Sequence, residues 1–131
     1  LKMKRVFKFL IAMLCITVLG GCGAKKLSDN YSEDKLKVAS EKVIDNLNKE
    51  KFDDVIGIMD KSIKSQITVD KLKEVMESFK KLGKFDSISK MIFQEKKGIA
   101  TVVSIAKYEN GNIQFTLSYN KNMQLCGLYL K

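Results

Sequence analysis

Three groups of side chains in this 131-residue sequence have types and surroundings suited to chemistry. The first is the thiol of Cys22, preceded by Leu19, Gly20 and Gly21. A thiolate is a good nucleophile for alkylation, and two glycines let another enzyme approach the backbone closely. The second is a set of hydroxyls, Ser104, Tyr108 and Tyr119, that mark a candidate pocket, although the small and bulky residues around them fit the interlock of a filled core more simply. The third is the carboxylate pair Asp53-Asp54, although acids in the first turn of a helix are explained more simply by the helix dipole. The sequence contains no histidine. That excludes His–Asp dyads, Ser–His triads, the commonest zinc sites and an imidazole base. No glycine-rich phosphate loop is present. No catalytic residue, metal ligand or cofactor is therefore assigned, and a lone carboxylate or tyrosine would act only if burial shifted its pKa.

The segment before Cys22 gives its thiol a context. Lys2, Lys4, Arg5 and Lys8 are basic, and no acid accompanies them. Val6 to Leu19 is almost wholly apolar, broken only by Lys8 and Thr17. That run is too short for a hydrocarbon core, which needs about 20 residues, and reads as a secretory signal. Leu19-Gly20-Gly21-Cys22 resembles the lipobox of bacterial lipoproteins. The resemblance implies diacylglycerol on the Cys22 sulfur and cleavage just before it. Residues 1–21 are then a signal peptide, and 22–31 a flexible, lipid-anchored tether. Two or three acyl chains anchor firmly where one holds weakly, and Lys25 and Lys26 add attraction to an anionic surface. The expected location is the extracytoplasmic face of the cell membrane. An ordinary signal peptide, leaving Cys22 as a free thiol, is the plainer alternative.

Removing residues 1–21 leaves 110 residues, enough for one hydrophobic core. The chain carries 24 basic and 15 acidic residues, net +9, and the mature part carries +5. Only Arg5 is arginine, and proline and tryptophan are absent, a bias that suits an AT-rich, Gram-positive genome. Nucleic acid is not expected as a partner, since the lysines are interspersed with acids and arginine is nearly missing. Cys126 would be the only unmodified cysteine of the mature chain, so it has no internal disulfide partner and reads as a buried structural thiol.

The elements that must position these groups follow from periodicity. Ser32 caps a first helix, about Glu33 to Asn48, with Leu36, Ala39, Val43 and Leu47 on its buried face and Tyr31 stapled onto Leu36. A short helix spans about Lys51 to Met59, and Ser62 to Gln66 is a helical or irregular connector. Thr68 caps a third helix, about Val69 to Leu82, ended by Gly83. Four strands follow: about Phe85–Gln94, Ile99–Glu109, Asn112–Tyr119 and Met123–Leu130. Asn110-Gly111 is a type I′ hairpin signal. It sets Tyr108 opposite Ile113, Ala106 opposite Phe115, Ser104 opposite Leu117 and Val102 opposite Tyr119, all on one face. A two-residue turn at Lys121-Asn122 would add Cys126 and Leu128 opposite Leu117 and Phe115. The other sheet face, with Lys107, Gln114, Thr116 and Ser118, is more polar. One apolar sheet face and three amphipathic helices must cover one another. The expected fold class is α+β, with N-terminal helices packed on a curved antiparallel four-stranded sheet over residues 32–131.

Helices followed by a four-stranded meander resemble the cystatin-like, nuclear-transport-factor-like cone. Phe52-Asp53-Asp54-Val55, Leu82-Gly83-Lys84-Phe85, Tyr108-Glu109-Asn110-Gly111 and Leu125-Cys126-Gly127-Leu128 resemble a family of Gram-positive domains of unknown function in that superfold. The resemblance covers about Lys35 to Lys131, rests on turns and core positions, and transfers no catalytic residue. Some enzymes of the superfold, similar to isomerases and dehydratases, use Asp, His or Tyr inside the cone. Two functions are thus in play. One is a non-enzymatic, membrane-tethered module that binds a small apolar ligand, a wall component or a protein. The other is a small extracytoplasmic isomerase or hydrolase. A closed cone or an exposed apolar groove favours the first; a cavity with a desolvated carboxylate beside Tyr108 or Tyr119 favours the second.

Overall fold

The computed structural model describes residues 27–131. The signal segment 1–21, the lipobox residues, Cys22, Lys25 and Lys26 lie outside the described residues. The chain forms α1 (Glu33–Asn48), α2 (Phe52–Gly57), α3 (Lys61–Lys64), α4 (Val69–Glu77), a 3₁₀ turn (Lys80–Leu82), and β1 (Phe85–Lys96), β2 (Ile99–Tyr108), β3 (Gly111–Tyr119) and β4 (Leu125–Leu130). The strands form an antiparallel meander in the order β1-β2-β3-β4. Four helices on a curved antiparallel sheet make the α+β class that the residue pattern requires.

Local signals set the helix starts. The Ser32 hydroxyl accepts from the Lys35 amide at 3.3 Å and opens α1, while Thr68 accepts from Lys71 at 3.2 Å and opens α4. Glu33 and Asp34 occupy the first turn of α1. Its end carries no glycine. Glu50 adopts φ +61°, with its amide bonded to Leu47 O and the Lys51 amide to Asn46 O, a Schellman-type closure. The expected third helix stops at Glu77 and resumes as a 3₁₀ turn, where Gly83 (φ +82°, ψ −153°) redirects the chain into β1.

The core lies between the helices and one sheet face. Leu36, Val43, Ile44 and Leu47 of α1 meet Ala100, Val102, Ala106, Ile113, Phe115 and Leu117, all at most 1% exposed. The buried face of α1 also contains Ser40, whereas Ala39 is half-buried. The segment expected as tether is docked from its first described residue onward. Leu27 packs against the core, and the Ser28 amide donates to Glu95 Oε1 at 2.7 Å. Tyr31 is buried, and its hydroxyl donates to Gly98 O at 2.5 Å and lies 3.1 Å from Tyr119 O.

Two expected registers are corrected. Tyr108 pairs with Gly111, Ala106 with Ile113, Ser104 with Phe115, Val102 with Leu117 and Ala100 with Tyr119. The β2–β3 turn is therefore Glu109-Asn110. A two-residue slip leaves each side chain on its expected face, because the strand period is two. Docking of the turn accounts for the slip. The Glu109 amide bonds Lys84 O at 2.9 Å, the Asn110 amide bonds Leu82 O at 2.8 Å, and Glu109 Oε1 accepts the Lys84 amide at 2.9 Å. A Cβ on Gly111 would lie 2.8 Å from Leu82 Cδ2, so any side chain there would have to displace the end of Leu82. The turn with positive φ at both central residues is instead Lys97-Gly98 (+53° and +82°).

The second correction concerns Cys126. Leu117 pairs with Leu128 and Phe115 with Leu130, while an irregularity follows Ser118, with Tyr119 opposite Leu125 and Ser118 opposite Gly127. Cys126 is the extra residue of that bulge rather than the partner of Leu117. The loop before it is longer than two residues, because Asn120 organises it. Asn120 Oδ1 accepts from the Asn122 and Gln124 amides at 2.9 and 3.0 Å, and its Nδ2 donates to Asp60 Oδ2 at 3.2 Å.

Candidate functional site

The residues of the candidate pocket sit on the inner sheet face beneath α1. Ser104 and Tyr119 are fully buried, and Tyr108 is half-buried. Alternation along β2 and β3 places them there, and α1 supplies polar partners to the two tyrosines. Tyr119 Oη and Ser40 Oγ share a buried hydrogen bond of 3.0 Å. Tyr108 donates to Asn48 Oδ1 at 2.5 Å, and its ring meets Phe85 edge-on at 5.5 Å. Ser40 and Asn48 are two helical turns apart and so rise from the same side of α1. Ser104 Oγ and Asn48 Nδ2 are buried without a hydrogen-bond partner among the described residues.

This arrangement holds protons rather than moves them. Burial pushes the Tyr119 hydroxyl up to about 12, against a smaller lowering from Ser40. Burial likewise raises Tyr108, opposed by its bond to Asn48, and raises Tyr31. Each tyrosine is therefore a neutral hydrogen-bonding group at physiological pH, not a base. Ser40 and Ser104 are the buried polar residues among those described, so no desolvated carboxylate stands beside the tyrosines. Asp53 and Asp54 lie exposed in the first turn of α2. The Cys126 thiol is half-buried, and burial, with the Asp60 charge behind it, pushes its pKa up, the opposite of nucleophile activation. Among the described residues no cluster of three Cys, Asp or Glu is placed to hold a metal ion. No described helix is long and apolar enough to cross a membrane.

The surface is more open than the interior. A groove of about 320 Å³ runs between α4 and β4, walled by Leu72, Val75 and Met76 on one side and Leu128, Tyr129 and Leu130 on the other. Leu47 and Ile67 also line it, with Lys71 the one charged contributor. Val75 is 39% exposed and Tyr129 52%, so apolar surface faces solvent there. A second, shallower groove of about 360 Å³ lies between α1 and β1, where Glu41 and Asp45 stand over Ile44, Phe85, Ser87 and Ile88. Neither groove is lined by Ser104, Tyr108 or Tyr119. Sequence reasoning missed the α4–β4 groove, whose α4 wall of Leu72, Val75 and Met76 has the ordinary three- and four-residue spacing of a core-facing helix.

Among solved structures, the chain is similar to the NMR structure of a protein from Ruminococcus gnavus ATCC 29149. The TM-score is 0.70 at 19% identity, covering 80% of this chain and 96% of that one, a likeness of fold alone. No curated protein matches the sequence. The model of the family described as protein of unknown function (DUF3887) matches residues 40–128, from the middle of α1 to β4, and the chain belongs to that family.

Proposed function

We propose that this chain is a membrane-anchored extracytoplasmic lipoprotein whose α+β domain binds a partner without catalysis, through the groove between α4 and β4. One observation carries the binding reading. The inner-face tyrosines are neutral and hydrogen-bonded to α1, while apolar surface lines an open groove outside. Helices followed by a four-stranded meander support membership of the nuclear-transport-factor-like superfold.

The anchoring reading rests on the lipobox and the basic, apolar segment before it. The docked residues Leu27 and Ser28 sharpen it. Only residues 23–26 separate a lipidated Cys22 from the folded domain, a reach of roughly 15–20 Å at ~3.5 Å per residue. The domain would ride close to the bilayer, with the Lys97-Gly98 turn nearest, since Glu95 and Gly98 receive the incoming chain. Lys25, Lys26, Lys96 and Lys97 would then stand near an anionic surface. Leu128 and Leu130 lie beyond Leu125 along β4, so the groove sits farther from the Lys97-Gly98 turn than the start of that strand does.

Replacing Cys22 by Ser tests the anchor. The native chain should fractionate with membranes and carry an N-terminal diacylglyceryl cysteine by mass spectrometry. The variant should accumulate as precursor or leave the cell. Unchanged processing and membrane retention of the variant would overturn the reading.

A further inference from the structure

We propose that the outer edge of β4, together with the groove beside it, takes an extended, apolar peptide segment of another exported protein as a fifth strand, with acidic residues flanking that segment. This deepens the binding reading above and rests on it.

The backbone of β4 is half used. Lys131 and Gln114 exchange both main-chain hydrogen bonds, at 3.1 and 2.8 Å. Antiparallel alternation then turns Tyr129 toward β3 and leaves the amides and carbonyls of Leu128 and Leu130 facing outward. β4 is the last strand of the sheet. Among the described residues only the start of its outer edge is covered: the Leu125 amide donates to Ile58 O, and the Asp60 amide to Leu125 O, both at 2.8 Å. Beyond that point the edge meets the groove.

The two edges of the sheet are treated differently. β1 carries register irregularities at Phe85/Ser87 and Ile88/Lys90, and charges at Asp86, Lys90 and Lys96. Those features discourage strand addition. β4 is Leu-Cys-Gly-Leu-Tyr-Leu, without a charge, and its bulge lies at the covered end. An added strand would place alternate side chains against Leu72, Val75 and Met76, while its backbone pairs with Leu128 and Leu130. The volume of about 320 Å³ suits the side chains of a short segment rather than a folded domain.

Charge selects among strands. Lys71 borders the groove and exposed Lys131 follows β4, so carboxylates on the incoming segment are favoured. A second copy of this chain would bring its own α4, with its own Lys71, against the same opening.

The test uses the full chain in detergent micelles. The probes are blocked octapeptides of alternating leucine and threonine between glutamates, the same peptides N-methylated on their pairing amides, and decanoate. Amide hydrogen exchange is read by NMR. The peptides should slow exchange at Leu128 and Leu130 at least tenfold, and N-methylation should weaken binding at least tenfold. Val75→Asp, at an exposed position, should weaken it similarly while the Leu125 amide stays protected as evidence of an intact fold. Equal binding of the N-methylated peptides, or binding without slowed exchange, would overturn strand addition. Slow exchange at Leu128 and Leu130 that depends on protein concentration alone would assign the edge to a second copy. Decanoate in the groove with no peptide protection would remove the strand but keep the binding groove; no probe in the groove would remove both.

Discussion

Ser40 and Tyr119 form a buried pair whose energetics distinguish a structural clasp from a reactive site. Both residues are fully buried and their hydroxyls lie 3.0 Å apart. Tyr119→Phe strands the Ser40 hydroxyl, but a helical serine can turn back to the carbonyl one turn earlier, so the cost should be about 1 kcal/mol. Ser40→Ala strands the tyrosine hydroxyl, whose ring is fixed by packing. Its desolvation cost of about 2 kcal/mol is offset by roughly 0.5 kcal/mol of better helix propensity. The double variant removes both polar groups and should lie within about 0.5 kcal/mol of the native chain. The cycle thus predicts a coupling of about 2–3 kcal/mol, far above the ~0.3–0.5 kcal/mol scatter of independent sites. Urea unfolding followed by far-UV circular dichroism measures it. With a slope of about 1–3 kcal/mol per molar for a domain of this size, the single variants shift the midpoint by roughly 0.3–1.5 M. Additive single effects, or neutral single variants, would refute the clasp and return Tyr119 to consideration as a functional hydroxyl.

Two further outcomes follow from the same geometry. Gly83→Ala forces a Cβ into φ +82°, ψ −153° and to 3.0 Å from Glu109 Cβ, and should cost about 2–4 kcal/mol; a thermal melt within 3 °C of the native chain, about the shift of 0.5 kcal/mol, would refute it. Stability should also fall above pH 10. Tyr119 stays protonated up to about 12 when folded but ionises near 10 when unfolded, so the unfolded state holds fewer protons and ΔG drops by roughly 1.4 kcal/mol per pH unit across that window. Urea midpoints from pH 9 to 11.5 check this, and a flat profile would contradict the buried phenol.

What was legible in the sequence was local. Ser32 and Thr68 read as caps because a cap is decided by one hydroxyl and the next three residues, and both helices begin where that chemistry places them. The inner face of the hairpin was legible because strand alternation survives a two-residue slip. The register itself was not. Asn110-Gly111 carries the I′ signal, but the turn is held by Leu82 O and Lys84 O, partners more than twenty residues away. The Schellman closure at Glu50 uses a residue type that gives no such signal. Ser40 was missed for a related reason. A search for apolar periodicity passes over a buried serine, although its position falls on the same helical stripe as Leu36, Val43, Ile44 and Leu47. The groove depends on the spacing between α4 and β4, which no residue pattern encodes.

The segments that carried the family resemblance bear on where function resides. Leu82-Gly83-Lys84-Phe85 and Tyr108-Glu109-Asn110-Gly111 are far apart in the chain, yet they are hydrogen-bonded to each other through Leu82 O, Lys84 O and the Glu109 carboxylate. Leu125, from a third such segment, pairs with Ile58, Met59 and Asp60 just beyond α2, whose own start, Phe52-Asp53-Asp54-Val55, buries Phe52 and Val55. These segments fasten helices to sheet, so their residue types answer to geometry. Gly83 combines φ +82° with close contact to Glu109, and Glu109 is spent on the Lys84 amide. A reactive residue in such a clasp would have to give up a bond that holds the fold. Among the described residues, one surface that is not spent in this way is the outer edge of β4 with the wall of α4. There, backbone groups and apolar side chains are left facing water, at a cost that an incoming strand would relieve.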